Sequence, residues 1–149
     1  MSNFLGLECK LFYNTGTYAT PVWAELTNVK DNKLGGTKGS ADATTRAAAG
    51  FKAELPTLKE MTLSFKMLYD PTDAGFIEMQ TLFLANTAAA GQVEMAIMDG
   101  AMVTGTKGFR ASFGVKKFDR DEALTEAVTY DVEMSVAPSA HAPAGYTVP

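Results

Sequence analysis

The chain has 149 residues, of which 46% are hydrophobic and 20% are charged, with a formal net charge of −4. These values are ordinary for one globular domain that buries its own core. The acidic excess argues against a surface that grips nucleic acid, because phosphate contacts need clustered Lys and Arg. No apolar run approaches the ~20 residues of a membrane helix, and the N-terminal residues do not have the pattern of a signal peptide.

The first strands are predicted from alternation of apolar and polar residues. Residues Leu7–Tyr13 alternate in this way and predict a strand, in which Cys9 is expected to be a buried thiol. Two short strands, or one bent strand, are predicted at Val22–Leu26 and Asn28–Leu34. Cys9 is the single cysteine, so no internal disulfide is expected.

A long loop is predicted over Gly35–Gly50. This stretch contains four glycines and no large apolar side chain, and it shows no apolar periodicity. Loops beyond ~12–15 residues inside a compact domain are usually functional or disordered. We therefore expect the loop to be disordered in an isolated subunit and to become ordered on contact with a neighbour.

One helix is predicted in the middle of the chain, at about residues 71–86. It follows two predicted strands, Phe51–Leu55 and Lys59–Leu68. Asp70 is the expected cap, and Pro71 suits the first helical position. The apolar stripe at helical spacing is expected to comprise Phe76, Met79, Leu82 and Phe83, widened by Ile77 and Leu84.

The last part of the chain alternates most regularly. Gln92–Met98 predicts a strand, and Lys107–Phe118 with Ala127–Val136 predicts an antiparallel hairpin with one apolar and one polar face. The charged residues Asp119–Glu122 are the predicted turn. The Pro- and Ala-rich tail at residues 138–149 is expected to be extended.

These elements predict a single domain over residues 1–149. The fold class is mainly β: an antiparallel β-sandwich or partly closed barrel with one flanking α-helix. No catalytic, cofactor or metal site is expected, because one His and one Cys cannot supply a zinc site or a nucleophile with its positioned base. The acidic residues near Asp119 also lack the spacing of a calcium loop, and Gly35–Gly39 lacks the ending of a phosphate-binding loop.

The sequence resembles the major tail tube protein of long-tailed (siphovirus-type) bacteriophages. The resemblance covers most of the chain and rests on the segments LFYNTG, ELTNVKD, ADATTRAAAGFKAELPTLKE, LSFKMLYDPTDAGFIEMQTLFLAN, EMAIMDG and GFRASFGVKKFDRDEALTEAVTYDVEM. It implies a fold related to the tube proteins of contractile tails and type VI secretion systems. It also implies hexameric rings that stack into the tube through which the genome leaves the capsid.

The same resemblance implies a structural protein of the virion tail, made in the host cytoplasm, and not an enzyme. Its partners would be copies of itself and other tail proteins, namely the tape measure, terminator and distal tail proteins. DNA would pass through the channel without specific binding, and no membrane would be involved. A net negative charge suits such a channel, because phosphates are then repelled as they pass.

Two sets of residues are candidates for these roles. Contacts between rings are expected from the small or charged side chains of the predicted loop: Asp42, Thr44, Thr45 and Arg46. The acidic side chains expected to face the channel are Glu94, Asp131 and Glu133. Simple exposure of these three on the outer surface of the subunit remains an open alternative.

The sequence leaves two other functions open. A tail terminator or adaptor of similar fold would form one ring without polymerising. A ligand-binding β-sandwich would need clustered exposed aromatic residues on a polar face, for which Phe12, Tyr18 and Trp23 are the available side chains.

Overall fold

The computed structural model describes residues 3–149 and contains eight β-strands and one α-helix. The strands are β1 (Lys10–Asn14), β2 (Trp23–Glu25), β3 (Val29–Asp42), β4 (Glu54–Leu68), β5 (Gln92–Met98), β6 (Lys107–Asp121), β7 (Thr129–Val136) and β8 (Ala144–Thr147). The helix α1 spans Ala74–Leu84, and a short 3₁₀ turn spans Arg46–Ala48.

All strands join one antiparallel sheet in the order β2-β1-β5-β6-β7-β4-β3, with β8 paired to β6. Across the described residues this sheet is not closed into a barrel. The predicted mainly β, antiparallel architecture with one flanking helix is therefore confirmed, in the form of an open sheet.

Strand β6 is the centre of the sheet. β5 pairs along one of its edges, while β7 and β8 pair with its second and first halves, respectively. A bulge between Val115 and Lys117 lets this long strand bend between its two sets of partners. The tail beyond Pro138 thus includes a paired strand.

The main core lies between one face of the sheet and α1. Its fully buried large side chains come from β1, β4, β5, β6, β7 and α1: Leu11, Leu63, Met67, Met79, Met95, Phe113, Val132 and Met134. The predicted alternation in β6 and β7 is what places their apolar residues on this face.

The helix is shorter than predicted and starts at a different cap. Asp73, not Asp70, is the N-cap, and its carboxylate accepts a 3.0 Å hydrogen bond from the backbone N–H of Phe76. Asp70 instead accepts from Thr72 in the preceding turn, which also contains Pro71. Only three members of the predicted stripe are buried: Phe76, Met79 and Leu82. Ile77, Phe83 and Leu84 are 47%, 44% and 65% exposed.

A second, smaller cluster lies on the opposite face of the sheet. Phe12, Ala96 and Met98 are buried there under partly buried apolar side chains: Trp23, Met102, Tyr146 and Val148. The alternation rule assigned this face to solvent. It fails here because side chains distant in sequence, Trp23 of β2 and Tyr146 of β8, lie on the same face of the sheet and pack against these residues.

The prediction of a loop over Gly35–Gly50 is wrong for the first half of this segment. Residues 35–42 continue strand β3 and pair with β4, from Gly35 opposite Thr62 to Asp42 opposite Glu54. Only residues 43–53 form the connecting tip. The ladder extends outwards from the anchored pair Leu34 and Leu63, and backbone hydrogen bonds do not require apolar side chains.

Two smaller predictions are also wrong. β1 begins at Lys10, where its partner β5 ends at Met98, so Leu7 is 93% exposed and Cys9 is only half-buried. Asp119–Asp121 belong to β6 because they pair with β7, so the turn between these strands comprises residues 122–128.

Candidate assembly and channel surfaces

A two-stranded arm projects from the sheet. We define the arm as Thr37–Glu60, because β4 loses its second partner beyond the pair Thr62 and Ser135. Every residue of the arm is exposed except three half-buried alanines at the tip: Ala43, Ala48 and Ala53. A hairpin with only two strands and no covered face is marginally stable alone.

The tip of the arm brings together the four residues predicted for contacts between rings. Asp42 ends β3, and its carboxylate accepts a 2.9 Å hydrogen bond from the Thr44 N–H. Hydrogen bonds from Thr44 lower the pKa of Asp42. The Thr44 hydroxyl accepts from the Ala53 N–H at 2.9 Å across the tip, while Thr45 and Arg46 begin the 3₁₀ turn.

The three predicted channel residues lie on one face of the sheet, opposite the helix. Glu94 pairs in register with Ser112, Gly114 pairs with Ser135, and side chains two residues apart share a face. Glu133 and Asp131 therefore continue the face on which Glu94 lies. The neighbouring β4 residues Ser64 and Lys66 extend it.

Two of these carboxylates are paired at the surface. Asp131 lies 3.9 Å from Lys66 Nζ, and Glu133 lies 3.2 Å from Lys116 Nζ. The side chains of Asp131 and Glu133 are 40% and 35% exposed, so each pair contributes ~0–1 kcal/mol. This part of the face is open and carries both signs of charge.

Glu94 is placed differently, in a nearly buried ion pair. Arg110 Nε donates a 2.7 Å hydrogen bond to Glu94 Oε1, and the Glu94 side chain is 11% exposed. Arg110 also donates through Nη2 to the carbonyl oxygen of Tyr18, at 3.1 Å. Glu94 therefore holds Arg110 in place and is not a free surface carboxylate.

Three aromatic rings surround the guanidinium of Arg110. Its central carbon lies 4.0, 4.8 and 5.3 Å from the ring centres of Tyr18, Tyr146 and Trp23. His141, in the tail predicted to be extended, stacks on Tyr18 with ring centres 3.5 Å apart. The cluster joins the loop before β2, the central strand and the C-terminal segment.

Sequence reasoning missed this cluster. The pattern shows Arg110 only as a polar residue of the predicted strand Lys107–Phe118. The available signal was an arginine in the middle of a long strand, since such a group needs a partner once it is covered. The aromatic partners could not be identified from spacing, because Tyr18 and Tyr146 are far from Arg110 in sequence.

Residues 3–149 contain no group of three or more His, Cys, Asp or Glu side chains arranged for a metal ion. Within the same range, no helix has the length and apolar character needed to cross a bilayer.

No protein-family model and no curated protein sequence matches the chain. Solved structures do match its fold. The tail of an empty gene transfer agent particle, refined with C6 symmetry, has a TM-score of 0.69 at 11% identity, covering 97% of this chain and 98% of that one. The SPP1 tail tube has a TM-score of 0.72 at 11% identity, covering 97% and 80% of the two chains.

A third structure is the baseplate of the anti-feeding prophage. It has a TM-score of 0.62 at 7% identity and covers 94% of this chain and 91% of that one. Identities this low establish similarity of fold. The chain therefore has the fold seen in tail and tail tube structures, and the predicted resemblance is confirmed at that level.

Proposed function

We propose that this protein is the subunit of a phage-type tail tube. Copies assemble into hexameric rings, and the rings stack into a conduit for genome ejection. The observation that carries the proposal is the fold, which matches structures of tails and tail tubes over almost the whole chain. Sixfold symmetry is a property of the gene transfer agent tail and is proposed here by analogy.

The arm is the proposed contact element. Its exposed, two-stranded form and its hydrogen-bonded tip support this role. In an assembly, neighbouring copies would cover the arm and complete the unpaired edge of β3. The tip residues Asp42, Thr44, Thr45 and Arg46 would then make contacts between rings.

The open polar face is the proposed channel lining. Asp131 and Glu133 lie on it with their paired lysines, which leaves no strong positive field to hold passing phosphate. Glu94 acts on the same face indirectly, by fixing Arg110 and the segments that cover the second cluster.

The remaining parts of the proposal follow from this role. The protein would act structurally in the virion tail, without catalysis, and would be made in the host cytoplasm. It would meet the tape measure, terminator and distal tail proteins at the ends and in the interior of the tube. The proposal includes neither a cofactor nor specific DNA binding.

A second candidate is a ring-forming tail component that does not polymerise, such as a terminator or adaptor. The similarity to a baseplate structure favours keeping it. A ligand-binding β-sandwich is less well supported, because Tyr18 and Trp23 already pack around Arg110 and Phe12 is buried.

Electron microscopy of the purified protein tests the proposal. We expect tubes with a central channel and regularly stacked rings. Single rings at every concentration would favour the second candidate, and a strictly monomeric 15.9 kDa species would contradict both.

A deletion tests the arm. Removing Thr37–Glu60 and joining Gly36 to Met61 through Asn-Gly, which favours a tight hairpin turn, should leave the circular dichroism of a folded β-protein. Tubes should be absent. If this variant still forms tubes of normal length, the arm is not the contact element.

A further inference from the structure

The ladder of the arm is interrupted close to the point where the arm leaves the sheet. At this point one residue of β3, Gly39, faces two residues of β4, Thr57 and Leu58. The ladder is regular on both sides, with the pairs Lys38 with Lys59 and Ser40 with Pro56. Such a β-bulge disrupts the ladder locally and bends the strand that carries the extra residue.

The residues at this bulge do little to fix the direction of the arm. Gly39 has no side chain, and a Cβ on it would collide with Thr57 Oγ1 in its present position. Glycine inside a strand weakens the strand, because it loses more conformational freedom on folding than other residues. Pro56, which precedes Thr57 on β4, has no backbone N–H to donate to a ladder.

A second bulge in the same two strands has more support. Asp31 and Asn32 of β3 face a single residue of β4, Phe65. Phe65 is buried in the core and also pairs with Val132 of β7. That bulge is therefore held by a third strand, whereas β4 has already left β7 where it reaches the bulge of the arm.

The part of the arm beyond the bulge is held together by its own hydrogen bonds. Residues 40–42 pair with β4. Across the tip, the Ala43 N–H donates to the Ala53 carbonyl oxygen at 2.9 Å, and the Ala53 N–H donates to Thr44 Oγ1 at 2.9 Å. Residues 40–56 therefore form a unit, which we call the distal unit, whose internal bonds do not involve the rest of the sheet.

The surroundings of the bulge leave room for the distal unit to move. A cleft of about 390 Å³ opens there, lined by Thr37, Lys38, Gly39, Thr57, Leu58 and Glu60. All six residues are exposed. A change of direction at the bulge therefore breaks no buried contact.

We infer that the arm has a joint at this bulge, about which the distal unit changes direction relative to the sheet. The base of the arm keeps the direction of the sheet, because its ladder runs without a register shift back to the pair Leu34 and Leu63 in the core. The joint belongs to the single subunit and does not depend on the proposed function. In the proposed tube, it would let the same chain serve in the interior and at either end, where its neighbours differ.

Distances between spin labels, measured by pulsed electron paramagnetic resonance, test the joint. In a Cys9→Ser background, the tip pair carries labels at Lys52→Cys and Lys116→Cys, and the base pair carries labels at Glu60→Cys and Lys116→Cys. All three labelled positions are exposed. Labelled monomers are diluted with unlabelled monomers, so that only distances within one copy contribute. We expect the distance distribution of the tip pair to be about twice as wide as that of the base pair.

A variant without the bulge separates a joint from general flexibility of a two-stranded arm. Deletion of Thr57, combined with Pro56→Thr and Gly39→Thr, leaves one residue opposite one and restores a backbone donor. We expect its tip pair to become as narrow as its base pair. The matched control, Gly36→Thr, adds the same side chain next to the base of the arm, where a Cβ would lie 3.8 Å from its nearest neighbour. Its tip pair should remain wide.

Two results would overturn the inference. One is a tip pair that is as narrow as the base pair in the wild-type arm. The other is a tip pair that remains wide in the variant without the bulge, with the fold of that variant verified by circular dichroism. A tip pair that is wide in the wild-type arm and in Gly36→Thr, but narrow without the bulge, supports the joint whether or not the protein forms tubes.

Discussion

Arg110 and Glu94 form an ion pair whose side chains are only 9% and 11% exposed, at the centre of the sheet face opposite the helix. Charges removed from water in this way depend on one another, because each would be unpaired without its partner. Replacing either residue by a neutral one therefore leaves a buried charge without its partner.

The first prediction concerns this pair. Glu94→Ala should destabilise the subunit by ~3–5 kcal/mol, because it leaves the Arg110 guanidinium buried without its carboxylate. Glu133→Ala is the matched control on the same face, and its effect should be within about 0.5 kcal/mol. Urea unfolding of both variants measures the difference. Equal midpoints would mean that the Arg110 pair does not contribute to stability.

The second prediction concerns the stack on Arg110. Tyr18→Ala removes a ring 4.0 Å from the guanidinium and 3.5 Å from the His141 ring, so it should cost ~0.5–2 kcal/mol and loosen the C-terminal segment. Tyr18→Phe keeps both contacts and should have little effect. Limited proteolysis at residues 138–143 should increase only in the alanine variant. Equal cleavage of the two variants would contradict the role of the ring.

The third prediction concerns the helix cap. Asp73→Ala should cost ~0.5–2 kcal/mol, because it leaves the Phe76 N–H without its acceptor. Asp73→Asn retains an acceptor and should remain close to wild type. Thermal unfolding distinguishes the two. Loss of the same stability in both variants would show that charge, and not the hydrogen bond, is the important feature.

The fourth prediction concerns acid stability. Hydrogen bonds from the Thr72 side chain and backbone lower the pKa of Asp70 below its ordinary value of 3.8. A carboxyl with a lowered folded-state pKa stabilises the fold above pH ~4 and loses that contribution as the pH falls through the folded value. Asp70→Asn should therefore flatten the dependence of stability on pH below ~4, measured by denaturant unfolding. An unchanged slope would contradict the assignment.

Prediction from the sequence is most accurate for strands that bury one face in the core, because burial of one face makes apolar and polar residues alternate. β5 matches its predicted bounds, and the apolar residues of β6 and β7 face the helix as expected because a half-buried strand must alternate. The helix was located correctly. Its cap was not, because Asp70 and Asp73 both precede the apolar stripe and only the turn geometry selects between them.

The sequence could not predict features that depend on distant segments. Residues 35–42 have no apolar pattern, yet they form a strand because β4 supplies their hydrogen-bonding partners. Glu94 has the same local pattern as Glu133, yet Glu94 is nearly buried in its pair with Arg110, over which the Tyr18 and Trp23 rings pack, whereas Glu133 is more exposed. Alternation assigns a side chain to a face but does not show what covers that face.

The last prediction concerns the charge of the proposed channel. Replacing Glu94, Asp131 and Glu133 together by Lys would also break the buried pair with Arg110, so the informative variant changes only Asp131→Lys and Glu133→Lys. The Asp131 and Glu133 side chains are 40% and 35% exposed, and surface changes usually cost ~0.5 kcal/mol or less each. Lys66 and Lys116, which pair with these two carboxylates in the wild type, then lie beside side chains of like charge on the same face.

In an assembled tube, the reversed charges would recur in every copy and attract passing phosphate. We expect tails of normal length but slower DNA ejection, most clearly at low salt, where screening is weakest. One control swaps the pair, Lys116→Glu with Glu133→Lys, and so keeps the net charge. A second control, Glu78→Lys with Glu126→Lys, reverses two charges that lie away from the open polar face. If the Asp131→Lys, Glu133→Lys variant ejects DNA at the wild-type rate at low salt, this face does not line the channel, and the outer-surface alternative is correct.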